Sequence, residues 1–149
     1  MFRFLIYLLF FCVTNSLHPI FINNRYNFKD KDLLNAEKNL ANYIGHSYSL
    51  GVNSGGMALT LSLIAIKNKY NLSNHHPSFT NSFTFNAVPS SIVNANFDPF
   101  LLETDDNFLL DLDNLEYHLS NSTIKTPVLL LSYMRGRIPN INKLMNIIK

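Results

Sequence analysis

Residues 49–63, Ser-Leu-Gly-Val-Asn-Ser-Gly-Gly-Met-Ala-Leu-Thr-Leu-Ser-Leu, hold the pattern with the clearest chemical potential in this 149-residue chain. Asn53-Ser54-Gly55-Gly56 separates a short apolar run from Met57, Ala58, Leu59, Leu61, Leu63 and Ile64. This reads as a strand that stops at a turn and restarts as a helix. The first turn of a helix leaves backbone N–H groups without an intrahelical acceptor. With the positive end of the helix dipole, those donors suit a phosphate. The dipole contributes about 0.3–1 kcal/mol at an exposed site. Glycine at 55 and 56 lets such a group come close without meeting a side chain. A plain strand–turn–helix connection with a glycine-rich cap uses the same residues, and a glycine pair alone is a weak motif.

The other reactive residue types are scattered. His75-His76 is the one histidine cluster, and adjacent loop side chains do not converge on a metal unaided, so a solvated pair is expected. Asp105, Asp106, Asp111 and Asp113 lack the glycine and terminal glutamate of a calcium loop and read as turn and helix-start acids. Cys12 is the single cysteine, which excludes an internal disulfide and a cysteine-based metal site. No metal site and no catalytic residue are assigned. A net charge of +2 without a basic stripe does not favour nucleic acid. Neither a G-x-G-x-x-G nor a Gly-Lys-Ser/Thr loop is present, against a small nucleotide-binding domain of those kinds.

Several elements must position the glycine turn. At 47% apolar and 15% charged, the chain can build one ordinary domain with a buried core. Residues 32–44 place Leu33, Leu34, Ala36, Leu40, Ala41, Tyr43 and Ile44 at near-helical spacing, with Glu37 and Lys38 on the wet side and Gly45 as a C-cap. A strand is predicted over 48–52, a helix from the glycine turn to about 70, and a polar loop over 71–77. A strand should run from 78 to about 84, followed by a helix opening near Asn86 and interrupted by Pro89. Residues 97–102 read as a strand, 105–107 as a turn and the second half of 109–119 as a short helix. Pro127–Tyr133 is a continuous apolar run of the kind buried in parallel sheets. A last helix starts near Asn142. Strands alternating with helices imply an α/β fold with a mainly parallel sheet. Ligands of such sheets sit at the carboxyl ends of strands, where 53–56, 83–85 and 132–136 fall.

Residues 1–16 have the plan of a secretory signal or signal anchor. Arg3 precedes the apolar run 4–13, and Thr14-Asn15-Ser16 follows. The run is short of the roughly 20 residues a membrane span needs, though it could contact a membrane. The same residues also suit a core element or an upstream extension. Export would make Asn71 and Asn121 glycosylation acceptors; without a working leader the chain is expected in the cytoplasm. Residues 17–31 read as a lead-in and 32–149 as the folded domain.

From Glu37 onward the chain resembles the DegT/DnrJ/StrS family of pyridoxal-phosphate sugar aminotransferases, of fold type I. Glu37 and Leu40-Ala41-Asn42-Tyr43-Ile44-Gly45 resemble its E-x-x-x-A-x-Y-x-G helix end. Ser54-Gly55-Gly56-Met57-Ala58-Leu59 resembles S-G-T-x-A-L. Phe83-Thr84-Phe85-Asn86-Ala87 resembles T-F-x-A, and residues 98–105 resemble the P-V-F-V-D-x-D strand. Residues 112–116 resemble D-P-x-x-L-E, and residues 132–139 resemble the H-x-x-G turn. The six pieces run in order at matching spacing.

The resemblance implies a partial three-layer sheet of mainly parallel strands, the first half of the family's large domain. It implies that Gly55, Gly56 and Met57 offer backbone N–H groups to the phosphate of pyridoxal phosphate, and that Phe85 stacks on its ring. It implies a keto-sugar nucleotide and an amino-acid donor as reactants, and a homodimer. Two positions depart from the pattern: Gly56 stands where the family has Thr, and Tyr133 where it has His. The family's Schiff-base lysine, and the acid that partners the pyridinium nitrogen, match positions beyond Lys149. The expectation is an inactive front half, or alternatively a non-catalytic remnant or binding module of the same fold. Val128, Leu129, Leu130 and Leu131 are expected to be partly exposed in such a half-sheet, with poor solubility as the result.

Overall fold

The computed structural model describes residues 11–13 and 31–149 of the chain. They fall into two compact units, one within Leu8–Ser73 and one within Asn74–Lys149. The leader read over residues 1–16 lies outside the described residues except for 11–13, and the lead-in over 17–31 lies outside except for Lys31. Among the described residues no helix is long and apolar enough to cross a membrane.

In the first unit, β1 (Phe11–Val13) pairs antiparallel with β2 (Ser49–Gly51), Cys12 opposite Leu50. So β2 is not a member of a parallel sheet, as strand–helix alternation had suggested. Alternation gives the order of elements, but hydrogen-bond partners depend on where the chain returns. Helix α1 (Lys31–Ile44) buries Ala41. It ends at Gly45, whose φ of +72° puts it in the left-handed region that glycine adopts without a Cβ clash. There Gly45 N–H donates to Asn42 O and His46 N–H to Ala41 O, satisfying two of the last carbonyls of the helix.

Glu37 is not on a wet face. Its Oε1 accepts from Gly51 N–H at 2.6 Å and its carbonyl accepts from Ser49 Oγ at 2.6 Å, which ties α1 to β2. Helix α2 (Gly55–Tyr70) buries Ala58, Leu59, Ser62, Leu63, Ala65 and Ile66. Apolar residues surround most of its length, the pattern of a helix enclosed on several sides.

The second unit is built on a three-stranded parallel sheet in the order β4-β3-β5. Its strands are β3 (His76–Asn81), β4 (Phe97–Leu102) and β5 (Val128–Leu130). Phe79 lies level with Phe100 on one side and Leu129 on the other. Pro99 falls in β4, an edge strand, where a missing N–H costs the ladder least. Strand β3 begins two residues earlier than expected and ends at Asn81 rather than near residue 84. Its pairing with β4 starts at His76↔Phe97, so His76 is a strand residue and not part of a solvated loop. His76 Nε2 lies 2.9 Å from Thr126 O, whereas His75 is exposed beside Asp98.

Helix α3 (Ala87–Asn94) runs through Pro89 instead of breaking there. Pro89 is the third helical residue, and N–H groups of the first turn have no intrahelical acceptor to lose. Asp111 caps helix α4 (Leu112–Ser120) by accepting from Asp113 N–H and Asn114 N–H. Asn140 caps α5 (Ile141–Ile147) by accepting from Lys143 N–H.

The core of this unit gathers Phe79, Leu102, Leu110, Leu112, Leu115, Leu129, Leu131, Leu144 and Ile148. Helices α4 and α5 pack over the face that carries Leu129 and Leu131. Val128 and Leu130, on the other face, are buried as well, so the exposure expected of a half-sheet is not observed. The fold is α/β with a parallel sheet, as the sequence indicates.

Candidate functional site

Two regions carry the residues singled out above, one in each unit. The first is the start of α2. Ser54 is its N-cap, in extended backbone, and its Oγ accepts from Met57 N–H at 3.2 Å. The same hydroxyl lies 3.5 Å from Asn53 Oδ1. Gly55 opens the helix. A Cβ built on Gly55 meets no heavy atom within 4 Å, so the space over the first turn is open. Gly56 is half-buried and the Met57 side chain is exposed. No acidic residue occupies the first turn, so no carboxylate competes for the positive end of the helix.

Sixteen residues of helix stand behind this turn, closed at the far end by Asn71 in the left-handed region and by Lys67 and Lys69 in the last turn. The structure therefore brings Gly55, Gly56 and Met57 together on one accessible, capped helix start. The Met57 amide is used by the cap.

The second region is the carboxyl edge of the parallel sheet. Parallel strands end on one side, so the segments leaving β3, β4 and β5 emerge together. Contacts along the edge bear this out: Ser82 N–H donates to Leu102 O at 2.9 Å, and the Phe83 and Phe108 rings lie 4.8 Å apart. Arg137 Nη1 donates to Asn107 O at 2.9 Å. Phe85 is 64% exposed on the segment between β3 and α3, with its carbonyl accepting from Val88 N–H. Phe85 thus has an open ring face rather than a place in the core.

Around this edge, Phe108 (φ +60°) and Arg135 (φ +55°) hold left-handed backbone, which costs a bulky residue energy and persists only where neighbours enforce it. Asp105 is one enforcer: its Oδ1 accepts from both Asn107 N–H and Leu109 N–H. Of the four acids, Asp105 is thus a turn acceptor and Asp111 a helix cap, while Asp113 pairs with Lys143.

Sequence reasoning missed Asn81. It is 2% exposed, the last residue of β3, and its side chain bonds the backbone of two departing loops. Nothing in the local pattern marks it, because the chain carries 21 asparagines. Ser54 was legible as part of the turn but not as the cap.

Each region by itself offers one kind of contact. The first turn of α2 offers backbone donors, a hydroxyl and open space to an anion. The exposed Phe85 ring offers a flat apolar face to another ring. Gly56 brings no hydroxyl where the family has Thr; Ser54 Oγ is the hydroxyl of this turn.

The family model for the DegT/DnrJ/EryC1/StrS aminotransferase family matches residues 21–149. Among solved structures, the chain is similar to Spr1654 of Streptococcus pneumoniae, assigned as a sugar aminotransferase. The PLP form of that protein has 18% identity and a TM-score of 0.62, covering 91% of this chain and 34% of that one. Its PMP form gives 18% and 0.63 over 91% and 33%. Its apo form gives 19% and 0.63 over 95% and 35%. These likenesses concern the fold, and the chain spans about a third of the length of the structures it matches. No curated protein matches it. On the match over residues 21–149, the chain belongs to the DegT/DnrJ/EryC1/StrS aminotransferase family.

Proposed function

We propose that this chain is the front part of the cofactor-binding domain of a pyridoxal-phosphate sugar aminotransferase. The observation that carries the reading is the open, serine-capped first turn of α2, with no side chain over Gly55 and no acid in the turn. Gly55 and Gly56 hold the cofactor phosphate through backbone N–H groups. Met57 joins them by exchanging its bond to Ser54 Oγ for one to the phosphate, and the Ser54 O–H turns from Asn53 Oδ1 to donate to the same group. Phe85, which matches the family's ring-stacking aromatic, is the candidate partner of the cofactor ring.

Bound pyridoxal phosphate supplies the electron-withdrawing ring that lets an amino group pass from an amino-acid donor to a keto-sugar nucleotide. Transamination also needs a lysine on the cofactor and an acid at its ring nitrogen. None of the chain's lysines stands at a fixed position of the segments that resemble the family's motifs, and the amine of Lys143 is engaged by the Asp113 carboxylate. These 149 residues alone therefore bind the cofactor without turnover. The family's homodimer, and an exported or membrane-contacting leader over residues 1–16, belong to the same reading.

Titration with pyridoxal phosphate, followed by absorbance and by tyrosine fluorescence, tests it. Saturable binding is expected, weakened by Phe85→Ala. Gly55→Ala should weaken it too while leaving the fold intact, since the added methyl enters the space assigned to the phosphate. No saturable binding, or full binding by Gly55→Ala, sinks the proposal. A borohydride-trapped adduct on one lysine together with turnover overturns the inactivity.

A further inference from the structure

We propose that Asn81 is a positioning residue that couples the loop carrying Phe83 and Phe85 to the loop that follows β5. Asn81 closes the central strand and is 2% exposed. Its Nδ2 donates to Phe83 O at 2.7 Å, and its Oδ1 accepts from Ser132 N–H at 3.0 Å. One rigid amide group thus holds the loop that follows its own strand and a backbone 51 residues further along the chain, leaving the neighbouring strand.

The residue type is specific to the task. Only an uncharged amide of this length offers a donor and an acceptor on one planar group. Reversing the amide would set donor against donor at Ser132 and acceptor against acceptor at Phe83, so the partners fix its orientation.

Each loop is anchored beyond Asn81 as well. Ser82 N–H is held by Leu102 O, and Phe85 O is held by Val88 N–H. Past Ser132, Arg135 and Gly136 are both in the left-handed region and Arg137 is bonded to Asn107 O. Neither loop can shift at its root without straining or breaking a bond to Asn81. A group that moves the Phe85 loop therefore acts on Ser132 and on the arginines behind it.

Amide exchange and chemical shifts of the full 149-residue chain decide this. Asn81→Ala should raise Ser132 exchange about tenfold or more and shift the resonances of residues 83–85, with protection over 78–80 retained. Asn81→Asp separates the two halves. Ionised, it still accepts from Ser132 N–H but cannot donate to Phe83 O; protonated, its O–H can do so. In alkaline buffer only residues 83–85 should shift, and acidification should return them to the wild-type positions.

A space-filling role predicts joint disturbance of both loops and no recovery in acid, and that result overturns the proposal. So does a change in Ser132 exchange of less than about twofold in a folded Asn81→Ala. If both variants unfold, the wild-type side-chain amide protons decide: slow exchange supports the clamp, and exchange at the rate of free asparagine refutes it.

Added pyridoxal phosphate should shift residues 83–85 and slow Ser132 exchange together in the wild type, but not together in Asn81→Ala. Only this last arm rests on the proposed function. A wild type that ignores the cofactor counts against that function, while the exchange pattern still judges Asn81.

Discussion

The start of α2 and the carboxyl edge of the parallel sheet are both open to solvent, yet they are held by opposite means. At α2 the donors are backbone, the cap is an exposed serine, and the helix behind it does the positioning. At the sheet edge the exposed groups are side chains, and their placement depends on a buried amide and on the core below it. A site made of backbone needs only a helix and a cap. A site made of side chains needs the packing of everything beneath. The two should fail differently under substitution.

The largest effect is expected at Leu115, wholly buried in the core of the sheet unit. Leu115→Ala should cost about 2–5 kcal/mol, the sum of lost burial and a cavity. Urea unfolding followed by amide signals of β3 measures it. A loss under about 1 kcal/mol would mean that the core is not what supports the edge.

Next comes Glu37, whose carboxylate holds Gly51 N–H at 2.6 Å. Glu37→Ala should cost about 1.5–3 kcal/mol, as for hydrogen bonds to charged groups. Faster amide exchange at Gly51 should accompany it. Unchanged exchange there would remove the tie between α1 and β2 from the account.

Ser54→Ala removes the cap of α2 and should cost about 0.5–2 kcal/mol, with faster exchange at Met57. Fraying should be confined to the first turn, which sharpens the contrast with Leu115. If amides at the far end of the helix lose protection equally, the cap is supporting more than its own turn.

The smallest effect is expected at Lys143. The hydrogen bond it donates to the Asp113 carboxylate raises its pKa above the ordinary lysine value, while desolvation opposes the rise. A raised lysine pKa adds stability below the unfolded-state value, and that stability is lost as pH climbs through the folded one. The group is exposed and screened, so Lys143→Gln should leave the unfolding midpoint at neutral pH nearly unchanged. Any difference from wild type should shrink further in strongly alkaline buffer. A large loss at neutral pH would show this surface pair to be more than an exposed contact.

Legibility followed how local the information was. The extent of α2 could be read because an apolar run, a serine–glycine start and the lysines of its last turn all lie within one stretch. The strands at Phe97–Leu102 and Val128–Leu130 were equally plain from their apolar runs. His76, Glu37 and Asn81 were not readable in the same way. Each is polar and each is bonded to a residue 14 to 51 positions away; His76 and Glu37 sit where the local pattern predicts a loop and a wet face, and Asn81 inside a predicted strand. The end of β3 was misplaced for a related reason. Phe83 and Phe85 continue its alternation, but the pairing with β4 stops at Asn81↔Leu102 and the chain turns there.

By itself, the sequence determined the order of helices and strands, the glycine-rich helix start at Ser54–Met57 and the family to which the chain belongs. Those properties depend on side-chain periodicity, backbone freedom and short spacings, all of which are written along the chain. Tertiary structure alone decided that β2 pairs antiparallel, that the leucines of β5 are covered, and that one asparagine joins two loops. Hydrogen-bond partners and burial are set by what the fold brings alongside, and a residue's type does not say which distant backbone will meet it.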